Sequence, residues 1–353
     1  MKSYQIVGWG EPLEARDYPT PEPKGREVLV RVTACGVCHS DLHIHQGYFD
    51  LGDGRRLNIA DRGMQLPFTL GHEVAGEVVA MGPEATGVEI GDSRVVYPWI
   101  GCGQCADCER GDNLLCTKPR VIGTWVDGGY STHVIVPDAR YLVDHGDVPV
   151  EVACTYACSG ITAYSALTRT GITRADQSLL IIGAGGVGMN GLLMAKAVLG
   201  CRVAVADIDA AKRDAAMATG LCDAVFDNSD AKTAAEAVRA WSNGGADASI
   251  DFVGRPVTTE FGIACSRTKG SSVVVVGLYG DSMKLSTAML PLRMMNLKGS
   301  YVGTLDDLHA VMDLARSGKL PPIKVTGCAL HDANKALRSL TQGEVTGRYV
   351  LQP

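Results

Sequence analysis

Several features that mark specialised classes of protein are missing from this sequence. No apolar run reaches the roughly 18 residues that a membrane-spanning helix needs, so we expect no contact with a bilayer core. Basic residues are not in excess, because 33 Lys and Arg stand against 39 Asp and Glu, which gives a net charge of −6. A nucleic-acid or anionic-membrane surface needs a basic footprint, so we expect neither as a partner. Residues 1–5 carry no apolar signal core, so we expect a cytoplasmic protein.

What is present is typical of a globular enzyme. The 353 residues are enough for about two domains, and 46% hydrophobic with 20% charged residues argues against disorder. Twelve cysteines are many for this length. Since nothing in the sequence points to export, metal binding or catalysis explains them better than a disulfide framework does.

The pattern of residue types along the chain changes near residue 160. Before it, short apolar runs such as 28–32 alternate with Gly and Pro, which predicts a β-rich region. After it, strand-like runs alternate with Ala-rich helical stretches, which predicts βαβ units and an α/β fold with a parallel sheet. Six such runs would complete a doubly wound dinucleotide-binding fold; they lie at 179–182, 203–206, 224–226, 248–252, 273–277 and 298–302.

The remaining chain predicts a short tail after residue 302. Periodicity indicates helices over 306–317 and 332–342, and residues 347–351 are typical of a final strand. Within the predicted parallel sheet, helices are expected over 189–199, 210–219 and 231–241.

A glycine-rich turn, Gly183-Ala-Gly-Gly-Val-Gly188, follows the first strand of the predicted parallel sheet. In this context Gly183 makes the tight turn, Gly185 lets the backbone approach a pyrophosphate, and Gly188 allows close packing of helix on strand. Asp207 ends the next strand, where a carboxylate binds the adenosine ribose and repels a 2′-phosphate, which favours NAD over NADP. The alternative is that Asp207 caps the following helix, although Asp209 is the better cap.

Four cysteines form a compact motif with the spacing C-x2-C-x2-C-x7-C: Cys102, Cys105, Cys108 and Cys116. Four thiolates fill the tetrahedral shell of Zn²⁺, so this site would be structural. The alternatives are an iron–sulfur site or a loop that is cysteine-rich by chance. A zinc ribbon for nucleic acid is disfavoured by the net charge.

Further ligand-type residues occur at 35–43, at 71–73 and at 154–158. None of these segments is diagnostic alone, because a C-x-x-C pair can be redox-active and a lone His is more often a core residue than a ligand. Together they supply three ligands and leave one position open, which is the layout of a catalytic zinc.

Taken in order, Cys38-His39-Ser40-Asp41, Gly71-His72-Glu73, the four-cysteine motif and the glycine-rich turn resemble the zinc-dependent medium-chain alcohol dehydrogenases over essentially the whole chain. The resemblance implies a β-rich GroES-like catalytic domain, residues 1–158 and 302–353, and a Rossmann coenzyme domain, residues 159–301. It also implies two zinc ions per chain, NAD, an alcohol or aldehyde substrate, and a homotetramer in preference to a dimer. Within the family, residues 38–53 look most similar to bacterial 6-hydroxyhexanoate dehydrogenase-like enzymes.

The resemblance also implies roles around the catalytic zinc. Its ligands would be Cys38, His72 and Cys158, whereas Cys35 and Cys154 would not bind. Asp41 would orient the His72 ring, and Glu73 would ligate the metal transiently. A proton relay would run from Ser40 to His43; the alternatives are a capping hydroxyl and a surface imidazole.

For the cofactor and substrate, the resemblance implies two sets of contacts. His39 and Arg348 would hold the pyrophosphate unless they are ordinary surface residues, and Lys212 would contact the ribose, while Arg213 offers some charge to a phosphate. The full cofactor set is His39, Thr162, Gly183, Gly185, Gly186, Val187, Gly188, Asp207, Lys212, Val276, Leu278 and Arg348. The substrate pocket would be lined by Phe49, Trp99, Leu278 and Tyr301, although such aromatics also occur simply as core.

One segment, residues 50–65, is longer than in the short forms of the family. It carries Asp53, Arg55, Arg56, Asp61 and Arg62. Its arginines would attract a carboxylate-bearing substrate such as an ω-hydroxy acid, or the segment is a solvated loop, an entrance cap or a subunit contact. Other readings of the chain are a secondary-alcohol or polyol dehydrogenase, a zinc-free quinone reductase, and a non-catalytic protein that binds zinc and nucleotide.

Overall fold

The N-terminal region is built mainly from antiparallel strands in a computed structural model that describes residues 1–345 and 347–353. Its strands are β1 Lys2–Ile6, β2 Glu14–Asp17, β3 Val28–Gly36, β4 Tyr48–Asp50, β5 Arg56–Asn58, β6 Phe68–Thr69, β7 Glu73–Met81, β8 Ser93–Val96, β9 His133–Val136 and β10 Leu142–Val143. Two short helices interrupt them, α1 His39–Gln46 and α2 Ala106–Glu109.

The C-terminal strands complete this first region. Strands β17 Val325–Ala329 and β18 Arg348–Gln352 extend its large sheet, whose order is β10-β8-β7-β3-β18-β17, with β9 also paired to β3. Smaller sheets have the orders β2-β1-β6 and β4-β5. Because β18 pairs directly with β3, the last residues of the chain lie beside the strand that leads into the Cys38 segment.

A helical connection leads from this region into the second. It consists of α3 Val150–Thr155, a π-helical turn Tyr156–Gly160 and α4 Ile161–Thr168. A π-turn inserts an extra residue into the helical ladder, and such turns are frequent at functional sites. This π-turn contains Cys158, and all of its residues are buried.

The second region is a six-stranded parallel sheet with helices between its strands. The elements are β11 Ser178–Ile182, α5 Gly186–Leu199, β12 Arg202–Ala206, α6 Ala210–Ala218, β13 Ala224–Phe226, α7 Ala231–Trp241, β14 Ala248–Asp251, α8 Pro256–Cys265, β15 Ser272–Val275, α9 Met289–Arg293 and β16 Asn296–Gly299. Their order is β13-β12-β11-β14-β15-β16, the 3-2-1-4-5-6 arrangement of a doubly wound fold. Every residue of the central β11 is buried, as expected of a strand covered on both faces.

The six predicted strands are all present, with ends shifted by up to three residues. The predicted tail helices correspond to α10 Leu305–Arg316 and α11 Ala333–Thr341. The helices α1 to α4, α8 and α9 and the strand β17 were not predicted from the sequence. Helix α8 begins with proline at its first turn and contains Gly262, whose missing side chain lets the helix lie close to Ser249 of β14, so its helical periodicity is weak.

No helix in the described ranges combines the length and the apolar character needed to cross a bilayer.

Candidate active site

Three of the predicted zinc ligands meet although they come from distant parts of the chain. Cys38 precedes α1, His72 precedes β7, and Cys158 lies in the π-turn; their ligand atoms all lie within 4.8 Å of one another, and all three residues are buried. The two sulfur atoms are 4.0 Å apart. We call this group the triad. The two cysteines predicted not to bind lie outside it: Cys35 Sγ contacts Gly36 O at 3.8 Å, and Cys154 Sγ contacts Glu151 O at 3.3 Å.

His72 is oriented by a buried carboxylate. Asp41 Oδ1 lies 3.2 Å from His72 Nδ1, and neither side chain reaches solvent. The other carboxylate oxygen, Oδ2, accepts the backbone N–H of Cys38 at 2.8 Å and the hydroxyl of Tyr130 at 3.1 Å. Because Nδ1 faces the Asp41 carboxylate, Nε2 is the ring nitrogen available to ligate a metal. The sequence analysis placed Asp41 here but missed Tyr130.

A cation that binds the triad must displace protons from it. The pKa of the Cys38 thiol lies well below its usual range, chiefly because Cys158 donates a hydrogen bond to it, and the pKa of Cys158 is raised for the same reason. Burial acts to lower the pKa of His72, but the Asp41 carboxylate outweighs it and the pKa rises. A second thiolate therefore forms in this buried place only beside a compensating positive charge.

The segment that carries Cys158 is held from two sides. Trp99 Nε1 donates to the carbonyl of Ala157 at 2.9 Å, and Asn190 Nδ2, from α5, donates to Ser159 Oγ at 3.0 Å. The position of the Cys158 thiol thus depends on both regions of the molecule. No local pattern marks Asn190 in the sequence, because its partner lies 31 positions away.

Glu73 and Arg348 form a buried ion pair beside the triad. Arg348 Nη2 contacts Glu73 Oε1, which also accepts the backbone N–H of Ser159 at 3.2 Å. Burial raises the pKa of the Glu73 carboxyl to about 7, although the guanidinium opposes this rise. A Cβ atom at Gly186 would lie 2.7 Å from Arg348 Cδ. Arg348 therefore lies between the triad and the glycine-rich turn.

The glycine-rich turn has three distinct backbone environments. Gly183 has a φ of 90°, a left-handed conformation that favours glycine. A Cβ at Gly188 would lie 1.8 Å from the carbonyl oxygen of Gly183, so only glycine fits there. A Cβ at Gly185 would contact nothing within 4 Å, so this face of the turn is open. Gly186 and the half-buried Val187 begin helix α5, whose N-terminus carries a partial positive charge.

Asp207 lies at the end of β12 and faces this turn. Its Oδ2 accepts the N–H of Ala184 at 2.8 Å, and its Oδ1 accepts the N–H of Asp209 at 2.9 Å. Asp209 caps α6 by accepting the N–H of Ala211 at 2.9 Å, which confirms the prediction that it is the cap. Arg213 donates to the Asp207 carbonyl oxygen at 2.7 Å and lies 3.1 Å from Asp227 Oδ2. Its charge is therefore already paired.

The other predicted cofactor residues lie on α1, α4, α6 and the segment after β15. Lys212 is half-buried next to Arg213, and Thr162 in α4 is buried with its hydroxyl unpaired in the described part of the chain. Val276 and Leu278 follow β15, and the Val276 N–H is bonded to the carbonyl oxygen of Asp251 at 2.9 Å. The sequence analysis missed Asp251, whose buried carboxylate accepts the N–H groups of the neighbouring loop at 253 and 254. His39 is exposed, with its ring 6.1 Å from that of Tyr279.

Ser40 and His43 lie three residues apart and so share one side of α1. Both are half-buried, and the His43 ring is 5.1 Å from the ring of Phe49. Partial burial lowers the pKa of His43, so the ring is neutral at pH 7 and free to accept a proton.

A cavity of about 490 Å³ lies beside the triad. All four predicted pocket residues line it: Phe49, Trp99, Leu278 and Tyr301. The ring of Trp99 is 5.4 Å from His72, so the cavity begins next to a predicted metal ligand. The sequence analysis did not anticipate that Asn113, Leu114 and Cys116 also line it.

The four-cysteine motif forms a second cluster of thiols. All four sulfur atoms lie within 4.8 Å of one another. Individual sulfur–sulfur distances are 3.5 Å for Cys105–Cys108, 3.9 Å for Cys105–Cys116 and 4.0 Å for Cys102–Cys108. The backbone N–H of Cys102 donates to Cys116 Sγ at 3.3 Å, which joins the two ends of the motif.

Comparison with known proteins gives the same picture for both regions. Residues 24–147 match the alcohol dehydrogenase GroES-like domain, and residues 186–317 match the zinc-binding dehydrogenase domain. The chain is 36% identical to an NAD-dependent alcohol dehydrogenase of Sulfurisphaera tokodaii, over 100% of both chains. It is 32% identical to a D-arabinose 1-dehydrogenase (NADP(+)) of Saccharolobus solfataricus, over 100% of this chain and 97% of that one.

Among solved structures, the alcohol dehydrogenase of Aeropyrum pernix superimposes with a TM-score of 0.89 at 27% identity, covering 100% of both chains. These matches confirm the predicted fold class and the prediction of an oxidoreductase that depends on zinc and NAD. The closer likeness to 6-hydroxyhexanoate dehydrogenases and the tetramer stay predictions. The chain belongs to the zinc-dependent medium-chain alcohol dehydrogenase family.

Proposed function

We propose that this chain catalyses the reversible oxidation of a medium-length primary alcohol to its aldehyde, with NAD as the hydride acceptor. The observation that carries the proposal is the position of the triad, at the end of an apolar-walled cavity and joined through Arg348 to the glycine-rich turn. We further propose the division into a catalytic domain, residues 1–158 and 302–353, and a coenzyme domain, residues 159–301. The sheets support it, since β17 and β18 return to the first region.

The ligand atoms fit zinc in number, type and spacing. Two thiolates held about 2.3 Å from a tetrahedral zinc lie about 3.8 Å apart, close to the 4.0 Å between Cys38 and Cys158. Two thiolates and the neutral His72 balance the charge of the ion and leave one position for substrate. The four-cysteine motif fits a second zinc by the same measure and leaves no open position.

When bound, zinc polarises the alcohol oxygen and NAD accepts the hydride from the alcohol carbon. The chain's own residues set the conditions for this. Asp41, held by Tyr130, fixes the His72 ring so that Nε2 points into the site. In the proposed relay, the Ser40 hydroxyl would accept the proton of the alcohol as it releases its own, and the neutral His43 would take up the released proton and pass it to solvent.

The cofactor cleft fits a dinucleotide with a free 2′-hydroxyl. The open face at Gly185 would admit a pyrophosphate to the N-terminus of α5, and the Asp207 carboxylate is bonded to the same turn at Ala184. Arg213 is paired with Asp227 and so offers little charge to a 2′-phosphate. NAD is therefore the preferred cofactor.

The test is NADH formation with 1-hexanol, with the same assay run with NADP. We expect two zinc ions per chain and a strong preference for NAD in the wild type. Replacing Asp207 by alanine removes a like charge from the 2′-phosphate position, so the ratio of kcat/KM for NADP to that for NAD is expected to rise about tenfold or more. The exposed Asp214→Ala is the matched control on α6. An unchanged ratio for Asp207→Ala would contradict the ribose role.

A sugar or polyol is the second candidate substrate. The D-arabinose dehydrogenase relative favours it, as do the polar side chains of Asp50, Asn113 and Asp281 in the cavity. Polyol enzymes of the family usually have an acidic third ligand, whereas Cys158 lies at that position here. D-arabinose and xylitol therefore belong in the same activity screen.

A further inference from the structure

The substrate cavity is apolar along most of its wall. Aromatic and aliphatic side chains dominate its lining, chiefly Phe49, Leu51, Leu57, Trp99, Trp125 and Tyr301. Such a wall suits the methylene chain of a substrate, because it removes apolar surface from water. The charged groups that interrupt the wall are Arg62, Asp50 and Asp281.

Two aromatic rings of the cavity wall lead away from the triad. The Trp99 ring lies 5.4 Å from His72, and the Tyr301 ring lies a further 5.7 Å from Trp99. Burial raises the pKa of Tyr301 to about 12; the charge of Cys158 adds to this rise, and the charge of Arg62 opposes it. Tyr301 and Arg62 both line the cavity, and the Trp99 ring connects Tyr301 with His72.

Arg62 is held in the cavity wall without a carboxylate partner. It ends a short 3₁₀ turn, Ala60–Arg62, and its guanidinium carbon lies 4.7 Å from the centre of the Trp125 ring. No ion pair in residues 1–345 and 347–353 involves Arg62. An arginine stacked on an aromatic ring keeps its planar fork of N–H donors free for a carboxylate.

The two other arginines of the 50–65 segment are turned elsewhere. Arg55 donates to the carbonyl of Leu51 at 3.5 Å, and Arg56 stacks on Tyr48 with its guanidinium carbon 4.0 Å from the ring centre. Neither residue lines the cavity. The sequence led us to expect that the arginines of this segment attract a carboxylate. In the structure, only Arg62 of the three lines the cavity, so the expectation now applies to Arg62.

The two acidic residues of the cavity are engaged with their own turns. Asp50 Oδ1 accepts the N–H of Gly52 at 2.8 Å, and Asp281 Oδ1 accepts the N–H of Ser282 at 2.7 Å. The tip of the segment also contacts the coenzyme side, because the Ser282 hydroxyl donates to Asp53 Oδ2 at 2.9 Å. The segment is therefore tied to the coenzyme side at Asp53, while Arg62 is packed against Trp125 in the cavity lining.

We propose that Arg62 binds a carboxylate at the far end of the substrate, so that the substrate is an ω-hydroxy acid with an apolar chain of several carbons. The inference rests on the proposed function, since it takes the triad as the place where the hydroxyl end reacts. A fork of two N–H donors pairs with a carboxylate in a bidentate geometry, while the aromatic wall contacts the methylenes between the two ends.

The experiment compares 6-hydroxyhexanoate with 1-hexanol, in wild type, Arg62→Ala, Arg62→Lys and Arg56→Ala. Arg62→Ala is expected to lower the ratio of kcat/KM for the hydroxy acid to that for hexanol by about 10-fold to 100-fold, mainly through KM. Arg62→Lys keeps the charge without the fork, so it should restore part of the ratio. Arg56→Ala, on the same segment but outside the cavity, should leave the ratio within about twofold of wild type.

The outcomes separate this proposal from the proposed function. Equal losses on both alcohols in Arg62→Ala, or a wild type that turns over D-arabinose or xylitol better than the hydroxy acid, would overturn the carboxylate role while leaving an active NAD-linked dehydrogenase. Hexanoate inhibition gives a second readout, since its inhibition constant should rise in Arg62→Ala and not in Arg56→Ala. If the wild-type protein reduced NAD with no alcohol, the proposed function itself would be wrong.

Discussion

The two groups of metal-ligand residues use the same sulfur chemistry but are assembled in different ways. In the four-cysteine motif the first and last cysteines are only 14 positions apart, and three of the four side chains are partly exposed. In the triad, Cys38 and Cys158 are separated by 120 positions, and all three ligands are buried. The first group is held by one loop, whereas the second exists only where two folded regions meet.

This difference bears on what each group can do. A loop that supplies four thiolates closes the coordination shell and stabilises its surroundings, but it offers no place for a reactant. A site assembled from three distant segments can leave one position open, because separate elements approach the ion from one side and a cavity adjoins the other. Three variants test this contrast.

The largest effect is expected from the third ligand of the triad. Replacing Cys158 by alanine should remove one of two zinc ions and lower kcat/KM by about a thousandfold or more, since the Lewis acid supplies several kcal/mol to the reaction. Zinc content by mass spectrometry and NADH formation measure both. Cys154→Ala is the matched control, because this buried cysteine is four residues away and outside the triad; it should keep both ions. The reverse result would refute the choice of ligand.

A smaller effect is expected from the carboxylate behind His72. Asp41→Asn keeps the shape but removes the charge that orients the ring, so zinc affinity or activity should fall by about 10-fold to 100-fold. Tyr130→Phe removes a single hydrogen bond to Asp41 and should cost less. The exposed Asp61→Asn serves as the control for loss of one carboxylate. Zinc affinity is measured by competition with a chelator. If Asp41→Asn and Asp61→Asn changed the zinc affinity equally, the orienting role of Asp41 would be wrong.

The smallest effect on chemistry is expected from the four-cysteine motif. Cys105→Ser should remove the other zinc ion and lower the Tm by about 5 °C or more, because the loss of a structural metal removes folding free energy. Activity at a temperature well below the Tm should fall far less than in Cys158→Ala. Calorimetry with metal analysis checks this, and a variant with unchanged Tm but abolished turnover would reverse the proposed roles of the two groups.

The same contrast explains how much the sequence could predict. The four-cysteine motif was visible from spacing alone, because neighbouring residues on one loop are close in any fold. For the triad, spacing left Cys35 and Cys154 as rivals, and only resemblance to the family favoured Cys38 and Cys158. The structure brings Cys38 and Cys158 to His72 because β3 and the π-turn converge there.

The parallel sheet was also well predicted, since period and turn residues are local signals. The glycines after β11 satisfy backbone requirements that can be read directly from the sequence. Residues that act through a distant partner were missed. Tyr130 meets Asp41 across 89 positions, and Asn190 meets Ser159 across two regions of the chain. The residues next to a tyrosine or asparagine in the sequence do not indicate that such a distant partner exists.

The sequence by itself determined the family, the alternation of strands and helices, the cofactor turn and the closed thiol motif, because each depends on the order and spacing of nearby residues. Resemblance to the family pointed to the cysteines that join His72, and the tertiary structure brings them together. Tertiary structure alone decided that Arg213 is paired with Asp227 and that Arg62 rather than Arg55 or Arg56 reaches the cavity. The reason is physical: a side chain's partner is set by how sheets and helices pack. Packing brings together residues that the chain itself keeps far apart.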